Sequence, residues 1–111
     1  MNKSLRNADL HMAQEKSELL ILHALATKGR NGEATHLQLS SLGFVAYPGY
    51  QFKAPQGAAL AVARLARSMQ DRGLIGRAFG GRNGYGRRGY YLRPEGARAL
   101  EANASSIASN N

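Results

Sequence analysis

Nine arginines lie between positions 64 and 98: Arg64, Arg67, Arg72, Arg77, Arg82, Arg87, Arg88, Arg93 and Arg98. Only Asp71 and Glu95 oppose them between those positions. Residues 1–63 are close to balance, with Lys3, Arg6, Lys16, Lys28, Arg30 and Lys53 against Asp9, Glu15, Glu18 and Glu33. After position 53 every cation is an arginine. A guanidinium presents a planar fork of N–H donors that matches a phosphate or the edge of guanine, whereas an ammonium is a point charge. Charge that served solubility alone would not need that choice. The net charge of +8 and the isoelectric point near 10.5 point to a polyanionic partner, nucleic acid first among them.

Other chemistries find little to work with. The chain has no cysteine, which excludes a disulfide scaffold, a zinc finger and a thiol nucleophile together. His11, His23 and His36 stand far apart with no acidic cluster beside them, so neither a metal nor a cofactor is expected. His23 reads as a surface histidine of a helix. No acid pair sits with a histidine at catalytic spacing and no serine lies in a nucleophile elbow. No catalytic residue is expected, and the protein is read as a non-enzyme. Gly84-Tyr85-Gly86-Arg87-Arg88-Gly89 matches the dinucleotide pattern G-x-G-x-x-G, but Tyr90-Tyr91-Leu92 after it reads as a strand where the fingerprint needs a helix. No apolar run approaches a membrane span, and the N-terminus lacks the apolar stretch of a secretory signal. A cytoplasmic location is expected, on the nucleoid when bound to DNA.

The elements that must position the arginines follow from periodicity and breakers. The length of 111 residues suits one domain. Residues 1–14 read as an arm, 15–103 as the domain and 104–111 as a disordered tail. Ser17 to Lys28 predicts a helix with Ser17 as cap and Gly29 as stop. Thr35 to Leu42 predicts a second, with Thr35 as cap and Gly43 as stop. Residues 44–55 read as an irregular connector carrying Phe44, Tyr47, Tyr50 and Phe52. Gln56 to Arg72 is the longest helical pattern: Val62, Leu65, Ala66 and Met69 form its apolar stripe, Pro55 marks its start and Gly73 its stop. Leu74 to Phe79 and Tyr90 to Leu92 read as two strands joined through an Asn83-Gly84 turn. Pro94 opens a last helix to about Asn103.

The fold class is therefore mainly α with a small β-hairpin, an α+β arrangement. Its expected form is a winged helix-turn-helix: a three-helix core, a Gly/Arg-rich wing and a C-terminal helix. Such a fold lays one helix in the major groove and reaches flanking DNA with the hairpin.

The run Arg64 to Leu100 (RLARSMQDRGLIGRAFGGRNGYGRRGYYLRPEGARAL) resembles the recognition-helix and wing segment of MarR- and PadR-like transcriptional regulators. The matching features are Gly73-Leu74-Ile75, the basic wing Gly80 to Gly89, and Tyr91-Leu92-Arg93-Pro94-Glu95-Gly96. They cover about a third of the chain. Arg93 stands where those families carry a capping Thr or Ser. The resemblance implies that Leu74, Ile75, Tyr90 and Leu92 tie the hairpin to the core. It implies that Gln56, Ala59, Leu60 and Ala63 line the helix front, with Arg64 and Arg67 in or beside the groove. Arg77, Arg82, Asn83, Tyr85, Arg87 and Arg88 would serve the wing.

The function expected from this is sequence-specific binding of double-stranded DNA by a transcriptional regulator, a repressor that occludes a promoter. A homodimer on a pseudo-palindromic site is expected, with Leu5, Leu10, Met12 and the aromatic connector as its candidate surface. A partition, replication or excision accessory of a plasmid or phage is the alternative on the same fold. A winged-helix module for an acidic protein, or an RNA binder using the Arg-Gly-Tyr stretch, is the second alternative.

Overall fold

A computed structural model describes residues 7–29, 32, 34–80 and 88–109, with side-chain surroundings for those from 14 to 103. Four helices and one hairpin follow in order: α1 (Asn7–Ala26), α2 (Leu39–Ala46), α3 (Pro55–Asp71), β1 (Ile75–Phe79), β2 (Arg88–Leu92) and α4 (Pro94–Ser109). The chain is thus mostly helical with a two-stranded antiparallel sheet, the α+β class expected.

The core is one cluster to which, among the described side chains, every element but α4 contributes a buried one. Ile21, Leu22 and Leu25 come from α1, Leu42 and Ala46 from α2, Val62, Leu65, Ala66 and Met69 from α3, and Ile75 and Tyr90 from the hairpin. Ala99 and Leu100 of α4 pack against its edge. Full burial of a Leu or Ile side chain contributes about 1.5–3 kcal/mol, so these few residues carry much of the folding drive.

Helix α3 follows its sequence signals closely. Pro55 occupies its first turn, where the missing N–H costs no hydrogen bond. The buried stripe is Ala58, Val62, Leu65, Ala66 and Met69. Gly73 closes it at φ +77°; the Gly73 N–H donates to the Gln70 carbonyl and the Leu74 N–H to the Met69 carbonyl. That pair of bonds satisfies carbonyls the helix leaves open and needs the left-handed backbone glycine permits.

Three boundaries differ from expectation. Helix α1 begins at Asn7, inside the expected arm, and Ser17 lies within it rather than capping it. No Gly or Pro interrupts residues 7–26, and residues 8–16 are mostly strong helix formers. The buried Ser17 Oγ instead donates to the Ala46 carbonyl, 2.9 Å away, at the end of α2. Ser17→Ala is expected to cost about 1–2 kcal/mol, the loss of one buried hydrogen bond that leaves a carbonyl unpaired; urea titration would check it, and an unchanged midpoint would refute it.

The second helix is displaced to Leu39–Ala46 from the expected 35–42. The reason lies in β2. Leu37 pairs with Tyr90 in an isolated antiparallel bridge, donating to the Tyr90 carbonyl at 3.0 Å and accepting from the Tyr90 N–H at 2.7 Å. That pairing holds Leu37 extended, so a helix cannot start before it. Thr35 does not cap α2; its hydroxyl donates to the Thr27 carbonyl just beyond α1. Gly43, expected as a stop, is buried inside α2 against α3. The irregular connector shrinks to 47–54.

The third difference is at the C-terminus. Helix α4 runs to Ser109, through most of the expected tail. Residues 97–109 contain no Gly or Pro and are rich in alanine, the best helix former. The strands match closely: β1 starts one residue later than expected and β2 two residues earlier.

Candidate nucleic-acid interface

Burial of one α3 stripe dictates what the opposite face presents. Gln56, Leu60, Arg64 and Arg67 are spaced by four, four and three residues, which places them on one face of a helix. All four are exposed, and Ala59 and Ala63 beside them are half-buried. The expected front of α3 is therefore assembled as a continuous exposed stripe. The helix has 17 residues, a length of about 25 Å at 1.5 Å per residue.

The cations on this face are held lightly. Arg67 Nε lies 3.7 Å from the Asp71 carboxylate, with the two side chains 79% and 68% exposed. A pair this exposed contributes about 0–1 kcal/mol, so phosphate could displace it. No ion pair joins Arg64 to another described residue.

Arg72 is different. Its Nη1 and Nη2 donate to Glu18 Oε1 and Oε2 at 3.1 and 2.7 Å. Its Nε and Nη2 also donate to the Ser68 hydroxyl at 3.2 and 3.0 Å. The Glu18 hydrogen bonds raise the Arg72 pKa above its ordinary value. This arginine ties the end of α3 to α1 and is withdrawn from ligand chemistry. Its partner lies 54 positions away, so the sequence offers no local signal for the pairing.

The hairpin carries a second basic group. The register pairs Ile75 with Leu92, Arg77 with Tyr90 and Phe79 with Arg88. Period-two alternation puts these six on one face. Its base (Ile75, Tyr90) is in the core, while Arg77, Phe79 and Arg88 extend beyond it exposed. The Arg77 guanidinium carbon sits 4.9 Å from the Phe79 ring centre and 5.5 Å from that of Tyr90. These cation–π contacts orient it along the hairpin. A cleft of about 400 Å³ separates Arg77, Arg88 and Phe79 from Gln38 and Leu39 at the start of α2. Gln38 makes no side-chain cap there, so the first N–H groups of α2 lie open beside two arginines.

Arg82, Asn83, Tyr85 and Arg87, expected at the wing tip, lie outside the described residues. Among the described residues no side-chain hydrogen bond or ion pair joins the α3 stripe to the hairpin group. The two are linked through the core, where Val62, Leu65 and Met69 meet Ile75 and Tyr90.

An aromatic cluster flanks α3 on the side of Gly57 and Ala61. Phe52 is its hub, with ring centres of Tyr50, Phe44 and Tyr47 at 4.6, 5.6 and 6.3 Å. The Tyr47 hydroxyl donates to the Ala61 carbonyl at 3.4 Å. Phe44 and Tyr50 remain exposed. The alternating aromatics of residues 44–52 were the visible sequence signal for this patch. Of the expected self-association residues on the N-terminal side, Leu5 lies outside the described residues, and the side chains of Leu10 and Met12 lie outside those whose surroundings are described.

Among the described residues no group of three His, Asp or Glu side chains could hold a metal ion, and no helix is long and apolar enough to cross a membrane. Comparison of the chain with protein-family models, curated proteins and solved structures finds no match.

Proposed function

We propose that this chain is a winged-helix, sequence-specific DNA-binding protein that regulates transcription, acting as a repressor by covering a promoter. The observation that carries the reading is the exposed α3 stripe of Gln56, Leu60, Arg64 and Arg67, backed by a fully buried stripe on the same helix. A helix about 10–12 Å across fits the major groove, about 12 Å wide. Gln and Arg carry the forked donors and acceptors that read adenine and guanine edges there.

The element order supports the same reading. Helix, extended bridge, two helices in close contact, an Arg-bearing hairpin and a closing helix form the sequence of parts a winged helix uses. The run from Arg64 to Leu100 resembles the recognition segment of MarR- and PadR-like regulators. Arg77 and Arg88, with the open start of α2, would neutralise phosphates beside the groove. One helix and one wing cover few base pairs, so a homodimer on two half-sites is the form in which this protein would gain specificity.

Selection of bound fragments from random duplex DNA, at about 0.15 M salt to weaken purely electrostatic binding, tests the reading. An enriched inverted repeat is the expected result. Absence of enrichment, with duplex retained only at low salt, would refute sequence-specific recognition. On the selected site, Arg87→Ala combined with Arg88→Ala should weaken specific and random duplex alike and flatten the salt slope by about one to two units. An unchanged slope in a titration of affinity against salt would remove these arginines from the phosphate contacts.

A further inference from the structure

Leu60 is the exception in the α3 stripe. It is 79% exposed, the most exposed large hydrophobic side chain among the described residues. Gln56 stands one turn before it and Arg64 one turn after. Ala59, Ala61 and Ala63 flank it with nothing longer than a methyl group, and the side chain stays largely uncovered between Gln56 and Arg64. On one flank it borders an open cleft of about 650 Å³, walled by Tyr50, Phe52 and Ala61 and rimmed by Lys53. Helix propensity does not ask for leucine at an exposed position, since Glu, Gln, Lys or Arg serve equally well there.

A polyanion-facing stripe that carries an apolar residue at its middle needs an apolar feature on the partner. The major groove has one: the C5-methyl group of thymine. Apart from the small C5–H of cytosine, the other groups read on the base edges there are hydrogen-bond donors or acceptors, which Gln56 and the arginines can meet and Leu60 cannot. Four residues of helix advance about 6 Å, so a base pair read by Leu60 lies within one or two steps of the pair met by Arg64.

We propose that Leu60 is a specificity-determining residue that recognises thymine through its methyl group. The inference rests on the DNA-binding reading above and names the base chemistry of that same site. The positive charge beside Leu60, from Arg64 and Lys53, favours the DNA duplex over an apolar protein surface as the occupant.

Deoxyuridine in place of thymine removes the methyl group and leaves the hydrogen-bonding edge intact. Each thymine of the selected site would be replaced singly, and affinity measured by fluorescence anisotropy for the native protein and for Leu60→Ala. One substitution is expected to weaken native binding about fourfold, the effect of burying a single methyl group. Leu60→Ala should bind the thymine and deoxyuridine duplexes equally at that position. The variant keeps its fold because the side chain is exposed, and thermal denaturation verifies this.

Duplex binding that is indifferent to every thymine replacement would overturn the inference and leave the DNA-binding reading standing. Full methyl dependence in Leu60→Ala would also overturn it. A methyl-insensitive protein whose self-association without DNA is lost in Leu60→Ala would assign the residue to an interface between copies instead. Failure to bind any duplex would overturn the inference and the DNA-binding reading together.

Discussion

Gly43→Ala is expected to lower stability by about 2–3 kcal/mol, within the range of overpacking in a closed core, and the melting temperature by about 8–24 °C, given 4–8 °C per kcal/mol in a small domain. A β-carbon at position 43 would lie 2.2 Å from the Ala58 carbonyl oxygen, 2.6 Å from its carbon and 2.8 Å from the Ala58 β-carbon. Two of these atoms are backbone, and the third is fixed to it, so no rotamer change relieves the clash. Helix α2 would have to withdraw from α3 and lift Leu42 and Ala46 from the core they share with Val62 and Leu65. Alanine favours a helix over glycine by about 1 kcal/mol, which offsets part of the cost and is included in the estimate. Gly57→Ala makes the matched comparison. Its β-carbon would meet only the edge of Phe52, at 3.7 Å, and the position is exposed. That variant should be as stable as the native chain or slightly more so. Urea titration of the two variants measures the difference, and a Gly43→Ala protein with native stability would show that α2 and α3 do not cross this closely.

The same glycine shows where sequence reasoning stops. A glycine after a short apolar pattern ordinarily ends a helix, and position 43 carries that local signature. Inside α2 it instead admits the close approach of Ala58 on another element, fifteen residues on. The start of α2 is set from farther away still, by the pairing of Leu37 with Tyr90. Signals that act within one turn were legible: Pro55 and Pro94 at helix starts, Gly73 at the end of α3, and the Val62–Leu65–Met69 stripe. Exposure of Gln56, Leu60, Arg64 and Arg67 followed from that stripe, because a helix that buries one face must present the other. The Arg72–Glu18 pair was not legible, since charge composition does not reveal which arginine a distant carboxylate will hold. Helices α1 and α4 extend past their expected ends because alanine, leucine and unbranched polar residues continue a helix without any boundary signal.

Arg64→Ala should weaken binding to the selected site about 10- to 100-fold, the loss of one bidentate contact to a guanine edge, while affinity for random duplex falls far less. The distinction between Arg64 and the other arginines of this region is structural. Arg72 is committed to Glu18 and Ser68. Arg77 is oriented by Phe79 and Tyr90 on the hairpin. Arg67 has Asp71 within 3.7 Å. Arg64 lies on the exposed stripe beside half-buried Ala63, where a groove floor could approach the helix backbone closely. Removing an exposed side chain at this position should change stability by no more than about 0.5 kcal/mol, so lost binding cannot be ascribed to unfolding. Arg64→Lys separates charge from geometry. It keeps the positive charge but loses the planar fork, and should retain random-duplex affinity while losing most of the preference for the selected site. Competition binding with the selected site and a scrambled duplex reads both quantities. If Arg64→Ala weakens the two duplexes equally and Arg64→Lys restores both, the residue contacts phosphate, and the base-reading role on α3 passes to Gln56 and Leu60.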